Sequence, residues 1–512
     1  MKNIVKFILP LILVIAIPII LFYNKKDNEL KQFDKASEQV VNAFSPTGLS
    51  IAIVKEGSVV YEKVFGYKNA GTMDFMDNGA IFNIASCSKA FTAACIGKLV
   101  QEGLISWDDK VIDYIPEFKL ADDCITNQMN IQDLLSHHSG LKTFEGDLLW
   151  YNTQYSNQEI ISRMHYLPIT RKFRSDYGYQ NNMFMIAGEI IERITGITWE
   201  KFVTQNFFAP LEMYDTKSSN DAFNGKENLA LPHYADSLIE VFDFEGGKPA
   251  ASIWSNPKDL ANWVGMLMND GKYKNVEILS PEIIKKLTTP QTILRVSEES
   301  ESFSTHFKTY ALGWYAYDYQ GYKILEHDGS MPGYISKVAM IPEKKIGIII
   351  LNNGFDFYCN DALMLTITDI ILGKSVNNWV EYYENRRRES AQYEKDQTAE
   401  RMAKRELNTQ PTVSLNSFTG IYADKMYGNA QVEISGEQLK LTLLPAAKLF
   451  TSTMEHWHHN SFKIVFNDPY LPFGIVTFEV DDKTKKVKGF TIDLPSSDFN
   501  FSILDFKKQA GI

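Results

Sequence analysis

Ser86-Cys87-Ser88-Lys89, within Phe82-Asn83-Ile84-Ala85-Ser86-Cys87-Ser88-Lys89-Ala90-Phe91-Thr92, constrains the fold more than any other segment. The stretch from Ser86 to Glu102 reads as a helix, with Ala90, Phe91, Ala94, Cys95 and Leu99 at helical spacing and Gly103 as its stop. Residues three apart share a helix face, so the Ser86 hydroxyl and the Lys89 amine can meet. Ile84, Ala90 and Phe91 around Lys89 point to burial of that amine. An unpaired buried lysine is costly, so the fold must give it a partner or a task. A serine hydroxyl is a weak nucleophile without an adjacent base, and a desolvated lysine can be one. The helix N-terminus favours negative charge developing on the serine. Ser86 is thus the candidate nucleophile, and Lys89 its candidate proton acceptor or electrostatic aid.

Two more patterns lie downstream. Tyr179-Gln180-Asn181 precedes the apolar helical run from Met183 to Thr195, which Gly196 ends. His327-Asp328-Gly329-Ser330 is followed by Gly333-Tyr334 and a strand-like run from Ser336 to Ile341. Ser-x-x-Lys, Tyr-x-Asn and His-x-Gly in this order resemble the serine β-lactamase and penicillin-binding-protein superfamily, in particular its class C β-lactamase, D-aminopeptidase and esterase branch. Asp133-Leu134-Leu135-Ser136-His137-His138-Ser139-Gly140-Leu141 and the run Ile346 to Asn353 extend the resemblance over roughly residues 35 to 372.

The resemblance implies an α/β (α+β) β-lactamase/transpeptidase-like domain, with a central antiparallel sheet flanked by helices. It implies that Ser86 forms an acyl-enzyme with an ester, amide or lactam carbonyl. Tyr179 would be the general base in acylation and then the acid towards the leaving group. A phenol has an ordinary pKa near 10, so Lys89 would have to stabilise its anion or share the proton. Tyr177 is the rival; choosing Tyr179 leaves Asn181 and Gly188 where the family pattern has them. Asn181 would bond Lys89 and the substrate amide. His327 stands where many penicillin-recognising members carry the lysine of Lys-Thr-Gly, and histidine is largely neutral at pH 7. That departure tilts the reading towards peptide or ester substrates. Gly329 would let the strand approach the substrate, and the backbone N–H groups of Ser330 and Ser86 would form the oxyanion hole. His137 and His138 fall in a structural loop of the family. No metal or organic cofactor is implied.

The rest of the chain fits around this domain. Leu49 to Val54 and Ser58 to Gly66 alternate about Glu56-Gly57, a hairpin signal. Pro257 to Asp270 reads as a further helix, and Ala311 to Tyr317, Lys323 to Glu326, Lys337 to Ile341 and Ile346 to Leu351 as strands. Residues 28–373 form the hydrolase-like domain and 374–411 a charged helical linker around Arg386-Arg387-Arg388-Glu389. Residues 412–512 carry short strands with turn chemistry, a small all-β barrel that resembles the lipocalin-like C-terminal domain of some superfamily members. His456 and His458 share a strand face there and read as barrel packing.

Lys2 and Lys6 precede the apolar run Phe7 to Tyr23, so residues 1–27 read as a signal or membrane anchor, with an uncleaved anchor preferred. The expected location is exported and membrane-anchored, with the catalytic domain in the periplasm or outside the cell. A net charge of −11 argues against a nucleic-acid partner. Four cysteines (Cys87, Cys95, Cys124 and Cys359) follow no metal or disulfide framework and read as buried free thiols. The expected function is an exported serine hydrolase acting on a small-molecule or peptide substrate: a D-amino-acid peptide, a cell-wall fragment or a carboxylic ester. The alternatives are a β-lactamase, or a penicillin- or ligand-binding receptor with little turnover. Oligomeric state is left open.

Overall fold

A computed structural model describes residues 28–510, apart from 236 and 243–245. The Phe7 to Tyr23 run therefore lies outside the described residues, and no described helix is long and apolar enough to cross a membrane.

The centre is a nine-stranded antiparallel sheet among the described residues. Its strands are β1 (Gly48–Lys55), β2 (Ser58–Asn69), β3 (Asp74–Phe75), β4 (Thr292–Leu294), β5 (Lys308–Tyr310), β6 (Tyr315–Tyr319), β7 (Tyr322–Met331), β8 (Tyr334–Ile341) and β9 (Ile346–Asn352). The spatial order β4-β5-β6-β7-β8-β9-β1-β2-β3 joins the earliest strands to the latest, with Leu49 opposite Asn352 and Lys55 opposite Ile346. The hairpin turns at Glu56 and Gly57, both at positive φ (50° and 78°), the twist that a two-residue antiparallel connection favours. Of the strands read from sequence, β7 runs further than expected and takes in the whole His327–Ser330 motif.

Central strands buried on both faces need no polar alternation. On β9, Ile348 and Ile350 face one core cluster while Ile349 and Leu351 face another. The first cluster packs the sheet on the helical stretch 28–44, through Phe33, Val40 and Phe44, and on α4 (Phe357–Leu372). The second packs it on α1 (Ser88–Gln101), α2 (Asn181–Thr195) and α3 (Pro257–Met268). Asn256 caps α3 by accepting from the Asp259 N–H at 2.9 Å, and Gly196 ends α2 at φ 71°. Ser86 is not in the opening α-turn expected for it. It lies in a 3-10 turn, Ala85–Cys87, that leads into α1.

A long helix, α5 (Trp379–Ala403), leaves the sheet with Trp379 buried, Val380, Tyr382 and Tyr383 packed against the core, and its later turns charged and solvated. It delivers the chain to a closed eight-stranded antiparallel barrel that runs from Gly420 to Lys508. The barrel interior is filled by Phe418, Tyr422, Phe462, Phe478 and Phe490, whose ring centres lie 4.7 to 5.9 Å apart where they touch. It is a packed core rather than an open ligand cup. His456 and His458 are split by a strand irregularity and bond backbone groups, the first to His459 O and the second from the Glu406 N–H. All four cysteines are free, but Cys124 is exposed, where a buried thiol was expected.

Candidate active site

The nucleophile turn is built by backbone strain. Ala85 has φ 44°, a left-handed value unfavourable for a residue with a Cβ, and its N–H is held by the Asn83 side chain at 2.7 Å. The turn lies against β7. A Cβ on Gly329 would sit 2.3 Å from Ile84 O and 3.0 Å from the Ser86 nitrogen. The glycine thus makes room for the nucleophile turn itself, where the sequence pointed to room for substrate. Cys87 donates to His327 O at 3.2 Å and Ser336 donates to Ile84 O at 2.7 Å, tying turn and strand together. Ser330 follows on β7, partly exposed beside the turn.

Lys89, one residue inside α1, is fully buried. Its Nζ reaches Ser86 Oγ at 3.0 Å, Asn181 Oδ1 at 2.6 Å and Ala250 O at 3.1 Å. A charged ammonium donates to all three; a neutral amine can instead accept the serine proton and still donate to the other two. Burial pulls its pKa down to about 7, against the raising influence of the Asp147 carboxylate. Ala250 is brought in by a short helix, Lys248–Ala251, seated on α2 where Gly188 leaves space: a Cβ there would be 2.2 Å from Pro249 Cγ.

Asn181 opens α2 and faces two ways, accepting from Lys89 and donating through Nδ2 to Asp147 Oδ2 at 2.6 Å. Asp147 is buried, and burial pushes its pKa up to about 7, partly offset by hydrogen bonds from Trp150 and Asn181 and by the charge of Lys89. Sequence reasoning missed this residue. Its signal was an acid within the apolar stretch Asp147-Leu148-Leu149-Trp150-Tyr151, outside all three motifs.

Tyr179 is buried with its ring 4.7 Å from Lys89 Nζ. Burial raises its pKa well above the ordinary phenol value, and the Ser86 hydroxyl offsets this only in part. Tyr177 joins the neighbouring aromatic cluster instead, its ring 5.9 Å from that of His137 and its hydroxyl sharing a 2.7 Å hydrogen bond with the Tyr315 hydroxyl. His137 packs its ring 4.2 Å from that of Tyr179 and accepts the Gln180 N–H at 3.1 Å, so the Leu-Leu-Ser-His segment supports the tyrosine. His138 pins the same segment to Asp133 at 2.7 Å.

His327 is buried, its Nδ1 at 2.6 Å from Asp328 O and its Nε2 at 2.9 Å from the Tyr310 hydroxyl. The carbonyl can only accept, so Nδ1 carries the proton and Nε2 accepts from Tyr310. Burial lowers its pKa, assisted by the nearby Lys89 charge and opposed by Asp328. The ring is a neutral member of an aromatic box with Tyr310, Tyr315 and Tyr179. The structure thus brings Ser86, Lys89, Tyr179 and Asn181 into one cluster and sets Gly329, Ser330 and His327 along the strand at its edge. No group of three or more His, Cys, Asp or Glu among the described residues could hold a metal ion.

Comparison with known proteins gives the chain's family and fold. Residues 404–508, the barrel and its lead-in, match a domain of unknown function, DUF3471. An unguisins hydrolase, ungD, of Aspergillus violaceofuscus (strain CBS 115571) is 28% identical over 63% of this chain and 61% of its own length. Protein flp of Staphylococcus aureus (strain N315) is 26% identical over 63% of each chain. The matches thus span a little over three fifths of these relatives' lengths. The structure of an octameric penicillin-binding protein homologue from Pyrococcus abyssi superposes with a TM-score of 0.60 at 21% identity, over 93% of this chain and 99% of that one, and shares its fold. Residues 37–364, which take in the nucleophile turn, α2 and the strand bearing His327, match the Beta-lactamase model, and the chain belongs to that family.

Proposed function

We propose that this chain is a serine hydrolase that acylates Ser86 with an amide or ester carbonyl and releases the acyl group to water. The observation that carries this reading is the 3.0 Å approach of Lys89 Nζ to Ser86 Oγ, with the amine's pKa drawn down to about 7. A base poised near the working pH holds the right protonation state and can still take a proton. The phenol of Tyr179 is held protonated, so the base role passes to Lys89 and Tyr179 keeps the acid role. As Oγ bonds the carbonyl carbon, its proton moves to Nζ. As the bond to the leaving group breaks, Tyr179 gives that group its proton and is reprotonated from Lys89. Water then adds to the acyl-enzyme by the same route in reverse. The N–H groups of Ser86 and Ser330 would hold the oxyanion.

A neutral His327 offers no fixed cation for a substrate carboxylate, which favours D-amino-acid peptides, cell-wall fragments or carboxylic esters over β-lactams. The relative named as an unguisins hydrolase is in keeping with a hydrolase. The test is labelling with a fluorophosphonate and a fluorescent penicillin, followed by turnover on a panel of D-amino-acid amides and esters. Ser86→Ala should abolish labelling and lower turnover by about a thousandfold or more; labelling that persists moves the nucleophile elsewhere. Export and membrane anchoring are proposed on the Phe7 to Tyr23 run. A chain beginning at Asn28 should then stay in solution and hydrolyse the same substrates, and an insoluble or inactive product would count against an anchor that contributes nothing to the core.

A further inference from the structure

A cavity of about 330 Å³ lies on the reverse of the strand that carries His327, between β6 to β8 and helices α4 and α5. Successive residues of a strand face opposite sides. Leu325, His327 and Gly329 point towards the Ser86 face, while Glu326 and Asp328 line the cavity. Four carboxylates border it, from Glu299, Glu326, Asp328 and Asp361, against two lysines, Lys308 and Lys337. Three of the four are engaged. Glu326 accepts from the Tyr317 hydroxyl at 3.0 Å, Asp361 pairs with Lys337 at 2.7 Å, and Glu299 accepts from Tyr382 and faces Arg386 at 3.9 Å. Asp328 has no hydrogen bond or ion pair to another side chain among the described residues. Lys337, directly opposite it across β7 and β8, is the largest influence favouring its anion and Lys308 a smaller one, neither making an ion pair with it, and the carboxyl is held below its usual range. Phe303, Tyr382 and Tyr383 add ring surface to the same wall.

We propose that this cavity binds a small organic ammonium ion, with its charged head on Asp328 and its carbon body against Tyr383 and Phe303. The volume suits a compact ligand, and rings beside a carboxylate are what attracts such a cation. An anion would enter a net negative enclosure, since Lys337 is already taken by Asp361. The site shares no side chain with the Ser86 cluster, although the Asp328 backbone carbonyl meets His327 and its charge bears on Lys89 from the far side of the strand.

Calorimetric titration of the full chain with benzylamine, and with uncharged benzyl alcohol as its match, tests this. Benzylamine should bind saturably at one site, and benzyl alcohol should not bind over the same range. Asp328→Asn should weaken benzylamine about tenfold or more, equivalent to about 1.4 kcal/mol. Tyr383→Leu, which leaves every carboxylate in place, should weaken it severalfold and keeps the test open if the first variant does not fold. Equal binding of the alcohol, no saturable binding of the amine, or an unchanged isotherm in either folded variant would overturn the proposal.

Discussion

Lys89 and Asp147 do not touch, yet Asn181 makes them one unit, with a single side-chain amide bonded to both. Each is displaced towards neutrality by burial, the amine downwards and the acid upwards, so both titrate near pH 7. Below that pH the lysine is protonated and cannot accept the serine proton; above it the base is free. The acidic limb of kcat/KM should therefore rise through about pH 7 in the wild type. The anion of Asp147 raises the Lys89 pKa, and removing it must lower that pKa further. Asp147→Asn should shift the acidic limb to lower pH while fluorophosphonate still labels Ser86. An unmoved limb in a folded variant would show that Asp147 has no electrostatic hold on the base. Asp147 was illegible in the sequence because an acid in an apolar stretch carries no spacing signal; only the fold brings it to Asn181. Lys89 was legible for the opposite reason, since its partner lies three residues away on the same turn and helix.

Elements rather than single residues fix where the nucleophile sits. The strained Ala85 turn is clamped between α1 and β7, and Gly329 is the point of closest approach. Gly329→Ala puts a methyl carbon 2.3 Å from Ile84 O and 3.0 Å from Ser86 N, both backbone atoms that cannot swing away. Either the strand or the turn must move. A displacement of about 1 Å at a reacting group can cost about a hundredfold in rate, and overpacking costs about 1–3 kcal/mol. The expected result is a loss of kcat of that order with a lowered melting temperature. A variant with wild-type kcat would show the contact to be slack. Much of this layer could be read beforehand: period-two runs gave β1 and β2, helical spacing gave α1 and α2, and Gly196 gave the stop. The 3-10 turn at Ser86 could not, because the helical pattern runs unbroken through it and the departure is imposed by β7. Nor could the full reach of β7, whose polar motif His327-Asp328-Gly329-Ser330 hides the alternation of a strand with two buried faces.

At the scale of the whole molecule, the barrel is joined to the catalytic domain by Tyr155 and Arg163, which donate to Tyr427 O and Met426 O, and by the segment that carries Asp147. Residues 144–151 run from the Asp147–Asn181 bond to the barrel surface. There Asn500 donates to buried Glu145 at 3.2 Å, and Phe499 packs its ring 4.4 Å from that of Tyr151. The Tyr151 hydroxyl donates to Asp468 at 2.9 Å, and both side chains are buried. Sequence patterns identified a barrel but could not place it, because the hydrogen-bonded groups that join it to the catalytic domain are separated by more than two hundred positions along the chain. Tyr151→Phe deletes one hydroxyl and leaves the Asp468 carboxylate buried without that donor, at a cost of about 1–3 kcal/mol. If the barrel braces the Asp147 segment, the loss reaches the reaction: kcat should fall about tenfold, a change of about 1.4 kcal/mol in the barrier. KM should change little, because Tyr151 lies behind Asp147 and away from Ser86. Steady-state kinetics beside a thermal melt separate the outcomes. A lowered melting temperature with unchanged kcat would make Tyr151–Asp468 a bond between domains only. A fall in kcat that Asp147→Asn does not deepen further would place both residues on one line of support, from the barrel through Asp147 and Asn181 to Lys89.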